Sequence, residues 1–285
     1  MKPLKFKQVD VFTRRPFFGN PVAVVLEWAG LGTEDMQRIA AWTNLSETTF
    51  VLPSSSAAAD YRLRIFTPRA ELPFAGHPTI GSAHAVLEAG IVKAKDGRLR
   101  QECGAGILDL RVDGETIWLS SPPATDTSVD DADFHALKRA LNGNIKHPPR
   151  IINVGPRWLV AELDDAAAVA ALEPDLQGIA DLSNALAIGG VTVFGASADK
   201  LSAVHVRSFA PAHGIPEDPV CGSGNIGVAA YLAKSAQAAR FGAGYTARQG
   251  MQLGRDGRVS IRFEDGKILL GGSAVTCIEG ALRLE

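Results

Sequence analysis

The sequence predicts a protein that mixes strands with helices and consists of two homologous halves. Two segments of similar sequence, which begin at Arg62 and His205, indicate the duplication. Each segment predicts an apolar strand, a Pro-containing loop, a glycine and then an Ala-rich helix. An Asp-Gly hairpin turn follows each segment, at Asp113 and at Asp265. Because a repeat decides the architecture of a chain, these correspondences determine the predicted fold class.

The two segments can be aligned residue by residue. The first reads R-L-R-I-F-T-P from Arg62 and A-G-H-P-T-I-G-S-A-H-A-V from Ala75. The second reads H-V-R-S-F-A-P from His205 and C-G-S-G-N-I-G-V-A-A-Y-L from Cys221. The matching pairs are Phe66 and Phe209, Pro68 and Pro211, Gly76 and Gly222, Ile80 and Ile226, Gly81 and Gly227, and Ala83 and Ala229.

In each copy a glycine lies where the helix is predicted to begin. We call these helix starts the first elbow (residues 75–79) and the second elbow (residues 221–225). The N–H groups of a first helical turn have no acceptor within the helix, and together with the helix dipole they attract a carboxylate or another anion. If the halves pack about a pseudo-twofold axis, the two elbows form one cleft with donors on both walls. The alternative is that the glycines only permit close helix packing.

The first half shows strand and helix patterns in order. Residues 4–12 alternate apolar and polar side chains and residues 21–26 form an apolar run after a turn, so we expect a hairpin. A threonine followed by two acids predicts a helix over residues 33–42. Residues 46–53, rich in Thr, Phe and Val, predict a strand with Glu47 at its beginning.

The composition changes near the middle of the chain. Residues 120–133, rich in Ser, Pro, Thr and Asp, have the composition of a linker. We therefore predict domains over residues 1–124 and 125–285, with the last strand able to cross to the other half. Apolar spacing in the second half predicts helices over residues 134–141 and 166–172 and strands over residues 151–154, 158–163 and 185–194.

Bulk properties exclude several functional classes. The chain has 285 residues, 46% hydrophobic and 21% charged residues, which are the proportions of an ordinary globular protein. A net charge of −2 gives no electrostatic reason to expect nucleic acid or an acidic membrane surface as a partner. Three scattered cysteines do not form a disulfide framework, and residues 1–9 lack the apolar run of a signal peptide, so we expect a cytoplasmic protein.

The motifs of common cofactors do not fit. Residues 222–227 read G-S-G-N-I-G and satisfy the dinucleotide pattern G-x-G-x-x-G. However, the preceding strand ends about a dozen residues upstream, and no acid follows between Pro219 and Arg255 to hold a ribose. His77 and His84 are seven residues apart, which is not a zinc-binding spacing. We therefore expect neither a cofactor nor a metal.

Polar residues near the two elbows are the candidates for chemistry. They are Glu47, His77, Asp218 and Ser223, and each also has an ordinary explanation. Asp218 is a typical Asx-turn residue, Ser223 a typical helix N-cap and Glu47 a typical surface acid. Together, a carboxylic acid, an imidazole and two anion-binding helix starts are what a cofactor-free proton transfer on a small carboxylate requires.

Six motifs along the chain closely resemble the phenazine biosynthesis protein F-like family. They are V-D-V-F-T from Val9, G-N-P-V-A-V from Gly19, N-L-S-E-T-T-F from Asn44, F-A-G-H-P-T-I-G-S-A-H from Phe74, E-D-P-V-C-G-S-G-N from Glu217 and A-R-Q-G from Ala247. The family belongs to the diaminopimelate epimerase and proline racemase superfamily. The resemblance implies an α+β fold of two similar domains, each a curved, mostly antiparallel sheet around a central helix, with the site between them.

The resemblance also implies a reaction. The characterised phenazine enzyme isomerises a dihydro-hydroxyanthranilate, with one glutamate as base and then acid. That role corresponds to Glu47 here, and a raised pKa in a partly closed site would suit it. His77 and Asp218 correspond to catalytic partners. The positions that correspond to substrate binding are Gly76, Gly222, Ser223 and Cys221. The family further implies a homodimer.

Two departures leave other functions open. Racemases of the superfamily use one cysteine from each half, whereas this chain has Cys221 in the second elbow but Ala75 in the first. Cys221 also replaces the threonine expected of the phenazine enzyme, either as a small residue that fills the elbow or as a thiolate favoured by the helix start. A one-cysteine epimerase or dehydratase of an amino or hydroxy acid is therefore one alternative. A non-catalytic protein that binds a small acid is the other.

Overall fold

The computed structural model describes residues 3–27 and 30–284. Met1 and Lys2, the start of the segment considered above for a signal peptide, lie outside these ranges. No helix in the described part of the chain is long and apolar enough to span a membrane.

The chain forms two compact units. Unit 1 comprises Met1–Ser120 and Gly271–Glu285, and unit 2 comprises Ser121–Leu270. The elements of unit 1 up to its first break are β1 (Leu4–Val11), β2 (Asn20–Val25), α1 (Thr33–Thr43), β3 (Thr48–Leu52), β4 (Tyr61–Phe66), β5 (Glu71–Leu72), α2 (Gly76–Glu88), β6 (Arg98–Cys103), β7 (Gly106–Asp113) and β8 (Thr116–Ser120). The following elements are β9 (Thr125–Ser128), α3 (Asp131–Leu141), β10 (Arg150–Asn153), β11 (Arg157–Glu162), α4 (Ala166–Ala170), α5 (Leu176–Leu186), β12 (Gly190–Ala196), β13 (Val204–Ala210), β14 (Ile215–Asp218), α6 (Gly222–Lys234), β15 (Gly244–Gln249), β16 (Gly257–Glu264), β17 (Lys267–Gly272) and, again in unit 1, β18 (Ala274–Leu282).

The sheet of unit 1 is mostly antiparallel. β1 lies between β2 and β18 and is antiparallel to both. β2 is parallel to β3, and β3 is antiparallel to β4. β4 is parallel to β6, and antiparallel pairs join β6 to β7 and β7 to β8. The predicted hairpin of the first two strands and the hairpin before Ser120 are both present.

The sheet of unit 2 repeats this order of pairings. β10 and β11 are antiparallel, β11 and β12 are parallel, and β12 and β13 are antiparallel. β13 is then parallel to β15, which is antiparallel to β16. The same succession of antiparallel, parallel, antiparallel and parallel pairs in both units agrees with the duplication that the sequence predicts.

Each unit has one largely buried helix, α2 in unit 1 and α6 in unit 2. Both are apolar around most of their circumference, so they are stable only when strands surround them. In α2, a methyl group on Gly81 would lie 2.5 Å from Val22 Cγ1 and 2.8 Å from Val11 Cγ2. In α6, a methyl group on Gly227 would lie at an ordinary 3.4 Å from Val160 Cγ2. The glycine of α2 therefore permits a closer helix–sheet approach than its counterpart in α6.

Two of the predicted elements need correction. The segment over residues 120–133, expected to be a linker, contains β9, which is antiparallel to β10. Its polar side chains do not prevent pairing because the backbone supplies the hydrogen bonds. The strand predicted over residues 185–194 begins only at Gly190, since Leu186 is the last residue of α5. Asp175 caps that helix by accepting from the N–H groups of Gln177 and Gly178.

Candidate active site

Glu47 lies directly before β3, in a short connection that is held at both ends. α1 ends at Thr43 and is followed by its C-cap Asn44, which adopts a left-handed conformation with φ 54°. Across the connection, Thr43 Oγ1 and Thr48 Oγ1 lie 2.7 Å apart. The Glu47 carbonyl accepts from the N–H of Ala23 in β2, with an N–O distance of 3.3 Å. The backbone that carries the Glu47 side chain is thus fixed by a helix end and a neighbouring strand.

The fold of unit 1 brings Glu47 and His77 together. His77 is the second residue of α2, and its Nε2 lies 3.3 Å from Oε2 of Glu47. Only 15% of the Glu47 side chain and 8% of the His77 side chain are exposed. The sequence grouped these two residues among the polar candidates near the two elbows, and the structure brings their carboxyl and imidazole groups into contact.

Burial changes the acid–base properties of Glu47. Loss of hydration raises the pKa of the Glu47 carboxyl to about 7, although a hydrogen bond from the Ser46 side chain acts in the opposite direction. An ordinary glutamate is fully ionised at neutral pH, whereas a pKa of about 7 makes both protonation states of Glu47 accessible there. Such a carboxyl can both accept and return a proton near pH 7.

The first elbow, which contains His77 of this pair, is a helix start without a side-chain cap. Ala75 precedes α2 in an extended conformation and makes no side-chain capping hydrogen bond. The Ala75 carbonyl accepts from Thr79, the first N–H with an acceptor inside the helix. The N–H groups of Gly76 and His77 belong to the first turn, where the helix supplies no acceptor.

The second elbow is capped by Cys221 rather than by Ser223. Sγ of Cys221 accepts from the N–H of Gly224 at 3.3 Å, which is the role of an N-cap. Ser223 is the second residue of α6, and its hydroxyl accepts from Nε1 of Trp158 at 3.0 Å. The expectation that Ser223 is an ordinary N-cap is wrong, because the N-cap is Cys221, two residues earlier, and Ser223 lies within the first turn of the helix.

Cys221 is placed as a thiol and not as a thiolate. Burial raises the pKa of Cys221 well above its ordinary value, and the negative charge of Asp218 acts in the same direction. The hydrogen bonds from Ser223 and Gly224 lower the pKa but do not outweigh burial. A sulfur that stays protonated is suited to filling and capping the elbow.

Asp218 ends β14 just before the second elbow. Its Oδ1 accepts from the N–H of Val220 at 3.0 Å, which is the Asx turn expected from the sequence. Its carbonyl accepts from Nε2 of Gln249 at 3.0 Å. Asp218, Cys221, Gly222 and Ser223 thus lie in one continuous segment of unit 2.

The glycines of the second elbow also serve close packing. A methyl group on Gly224 would lie 2.5 Å from Ser208 Oγ and 2.9 Å from Thr192 Oγ1. These two hydroxyls lie 3.0 Å apart on β13 and β12. The packing alternative for the glycines therefore holds at Gly224, and it does not conflict with anion binding by the first-turn N–H groups.

Sequence reasoning missed a duplicated Arg–Glu pair beside the elbows. Arg64 on β4 binds both carboxylate oxygens of Glu71 at 2.7 and 2.6 Å. Arg207 on β13 binds Glu217 in the same way at 2.9 and 2.8 Å. Arg64 and Arg207 occupy the same position of the repeat, two residues before Phe66 and Phe209, and this identity was the available signal.

No group of three or more His, Cys, Asp or Glu side chains within residues 3–27 and 30–284 has the arrangement of a metal site. Asp218, Cys221 and Ser223 near the second elbow form hydrogen bonds with side-chain or backbone groups.

Comparisons with known proteins bear on the whole chain. Residues 9–280 match the family model described as "Phenazine biosynthesis-like protein". The Schizosaccharomyces pombe protein named "Antisense-enhancing sequence 1" is 42% identical, over 96% of this chain and 97% of its own length. The trans-2,3-dihydro-3-hydroxyanthranilate isomerase of Pseudomonas aeruginosa is 34% identical, over 96% of this chain and 94% of its own length.

Solved structures agree with the fold class. A PhzF-family phenazine biosynthesis protein of Bacillus anthracis superimposes with a TM-score of 0.85 at 26% identity, covering 100% of both chains. A probable proline racemase of Agrobacterium radiobacter gives a TM-score of 0.70 at 16% identity, covering 99% of this chain and 93% of its own. At that identity the second match shows the fold alone. The α+β fold class expected from the motifs is confirmed.

Proposed function

Because the chain belongs to the phenazine biosynthesis-like (PhzC-PhzF) family of isomerases, we propose that it moves a proton within a small carboxylate substrate, with Glu47 as the group that accepts and returns the proton. Glu47 removes a proton from an acidic C–H, the electron pair left on that carbon forms a new double bond to the neighbouring carbon, and the electron pair of the former double bond moves to its far carbon. The same carboxyl then delivers the proton at the far end of that bond. No cofactor takes part in these two steps.

The Glu47–His77 contact is the observation that carries the proposal. A carboxyl with a pKa of about 7 matches the acid and base strengths that one group needs for both steps at neutral pH. The His77 ring at 3.3 Å orients this carboxyl or exchanges a proton with it. Proton return by a single group also explains why a first-elbow cysteine is not needed.

The substrate class follows from the helix starts and from the relatives. First-turn N–H groups favour a carboxylate, and the Pseudomonas aeruginosa relative is named for trans-2,3-dihydro-3-hydroxyanthranilate. We propose a small carboxylate of this kind as the substrate; Gly76, Gly222 and Ser223 remain the binding residues that the sequence predicts. Asp218 serves as a further proton-handling or orienting group. A cytoplasmic location and a homodimer remain predictions.

Hydrogen exchange tests the proposal. The enzyme is incubated in heavy water with trans-2,3-dihydro-3-hydroxyanthranilate, and isomerisation and deuterium uptake are followed by NMR. We expect Glu47→Gln to lower turnover by about 10³-fold or more, the scale of losing a general acid–base group. Glu102→Gln is the matched control, because Glu102 lies in the same unit with 16% of its side chain exposed, close to the 15% of Glu47.

The outcomes separate this function from the alternatives. An active Glu47→Gln enzyme contradicts the proposal. Loss of activity in Cys221→Ser with retained activity in Glu47→Gln would indicate the one-cysteine epimerase or dehydratase, which the raised pKa of Cys221 disfavours. Ligand-induced stabilisation without deuterium uptake into any bound acid would indicate a binding protein.

A further inference from the structure

Gln249 is a fully buried amide that the proposed reaction does not use. It is the last residue of β15 and belongs to the A-R-Q-G motif, to which no role was assigned. The pairing of β15 with β13 places Gln249 opposite Val206. A methyl group on the next residue, Gly250, would lie 2.5 Å from the Pro219 carbonyl oxygen. The end of β15 is therefore packed directly against the segment that leads into the second elbow.

The side-chain amide of Gln249 bonds to three residues of that segment. Its Oε1 accepts from the N–H of Cys221 at 3.2 Å and from Nδ2 of Asn225 at 2.8 Å. Its Nε2 donates to the carbonyl of Asp218 at 3.0 Å. Nδ2 of Asn225 also donates to the Cys221 carbonyl at 2.8 Å. One amide thus ties Asp218, three residues before the elbow, to the first and last residues of the elbow.

We propose that Gln249 is a positioning residue that holds the second elbow in the conformation that binds the anionic group of the substrate. This inference rests on the proposed function, since it concerns the same substrate. The N–H of Cys221 already donates to Gln249 Oε1, and the N–H of Gly224 already donates to Sγ of Cys221. The first-turn donors left for a ligand are the N–H groups of Gly222 and Ser223, whose direction depends on the residues that Gln249 fixes.

Unit 1 contains a buried glutamine that serves as a comparison. Gln101 on β6 is fully buried, accepts from the Tyr61 hydroxyl at 2.8 Å and donates to Thr79 Oγ1 at 3.2 Å. Both of these partners are side-chain groups. Gln101 therefore resembles Gln249 in burial and in hydrogen bonding but does not hold elbow backbone. Substitution of either glutamine should show the general effect of removing a buried amide. Only substitution of Gln249 should change the position of the second elbow.

The test compares Gln249→Leu with Gln101→Leu in the full chain. Exchange of the Cys221 amide proton is measured by NMR, binding of anthranilate by calorimetry, and kcat and KM with trans-2,3-dihydro-3-hydroxyanthranilate. For Gln249→Leu we expect the Cys221 amide to exchange about 10-fold faster and the Kd and KM to rise about 10-fold, as for the loss of roughly one buried hydrogen bond. For Gln101→Leu we expect a lower Tm but all three quantities within about threefold of the wild type.

Two results would overturn the inference. One is faster exchange in Gln249→Leu with unchanged Kd and KM, which would make Gln249 merely structural. The other is equal effects of the two variants on Kd and KM. If Gln249→Leu does not fold, Gln249→Glu is used instead. The glutamate keeps the acceptor oxygen for Cys221 and Asn225 but loses the donor to the Asp218 carbonyl. If the wild-type protein binds anthranilate but has no turnover, only the proposed function is contradicted. The exchange rate of the Cys221 amide proton and the Kd for anthranilate still test the role of Gln249.

Discussion

Oε2 of Glu47 and Nε2 of His77 lie 3.3 Å apart, with both side chains largely withdrawn from water. The pair joins a residue before β3 to the first turn of α2, which are separated in sequence but adjacent in unit 1. Loss of water raises the pKa of Glu47 to about 7. The carboxyl is therefore poised between its two protonation states at the pH of the cell, and several predictions concern this state.

Activity should depend on pH with a midpoint near 7. Glu47 must be ionised to accept a proton, so we expect kcat/KM to be low below pH 6, to rise through about 7 and to level off above it. A pH–rate profile of the wild type measures this midpoint. Glu102→Gln should leave the profile unchanged. A rise that is complete by pH 5 would show that Glu47 titrates like an ordinary glutamate.

Removing the charge of Glu47 should stabilise the protein at alkaline pH. The pKa of the Glu47 carboxyl is about 7 in the folded protein, against an ordinary value of 4.5 that applies to the unfolded chain. As the pH rises, the unfolded chain therefore loses this proton at a lower pH than the folded protein, and the wild type loses stability between about pH 4.5 and 7. We expect Glu47→Gln to increase the free energy of unfolding by about 1–3 kcal/mol at pH 8 and to have little effect at pH 4.

Urea unfolding at the two pH values measures this difference. Glu102 provides the opposite case, because hydrogen bonds from Ser55 lower the pKa of its carboxyl. Such a group stabilises the fold above its unfolded pKa, so Glu102→Gln should decrease stability at pH 8. Equal gains at pH 4 and pH 8 in Glu47→Gln would show that the gain is unrelated to titration.

The same substitution should have opposite effects in the two buried helices. In Gly81→Ala the new methyl group meets Val22 at 2.5 Å and Val11 at 2.8 Å, and we expect a loss of about 1–3 kcal/mol from overpacking. In Gly227→Ala the nearest atom is 3.4 Å away, and the better helix propensity of alanine should give a gain of up to about 1 kcal/mol. Thermal unfolding of both variants checks the sign, and a neutral Gly81→Ala would contradict the close approach.

The duplicated Arg–Glu pairs should differ in their contribution to stability. Side-chain exposure is 6% for Arg207 and 9% for Glu217, but 17% for Arg64 and 39% for Glu71. Arg207→Leu leaves Glu217 buried without its partner and should cost about 3–5 kcal/mol. Arg64→Leu should cost about 1 kcal/mol, because water reaches Glu71.

Denaturant unfolding of these variants gives the comparison. Adding Glu217→Leu to Arg207→Leu removes the isolated charge and should recover a large part of the loss. If the double variant were as unstable as Arg207→Leu, the cost would come from the arginine's other hydrogen bonds. Those bonds go to the carbonyls of Val169 and Leu172 at 3.2 and 2.6 Å.

Cys221 should be dispensable for the reaction. Serine is also a good N-cap, so Cys221→Ser should retain turnover within about threefold, compared with losses of about 10²-fold or more expected for a catalytic base. Because burial keeps Cys221 a thiol, iodoacetamide at pH 8 should label the half-buried Cys277 before Cys221. Rapid labelling of Cys221, or inactivation on substitution, would restore the one-cysteine mechanism.

The sequence predicted the elements that local patterns encode. The two repeat segments gave the strands that end at Phe66 and near Phe209 and the helices that follow, because alternation and glycine placement are local properties. β9 was missed, since its side chains are polar and only pairing with β10 makes it a strand. The start of the strand at Gly190 was placed too early, because an unbroken apolar run does not distinguish the end of α5 from a buried strand.

The sequence named candidate site residues but not the contacts between them. Resemblance assigned Glu47 and His77 to the reaction, yet their contact and the raised pKa depend on burial by distant segments. The thiol state of Cys221 likewise follows from burial and from the charge of Asp218. Gln249 was part of a recognised motif, but its hydrogen bonds become visible only when β15 packs against the second elbow.

Pairing of β1 with β18 joins residues 4–11 to residues 274–282. During synthesis on the ribosome, one edge of β1 must wait until residues 274–282 have emerged. Unit 2 is one uninterrupted stretch and can complete its own sheet earlier. An unfinished edge strand is a template for intermolecular pairing, so nascent chains of this protein are most exposed to aggregation in the interval before β18 arrives.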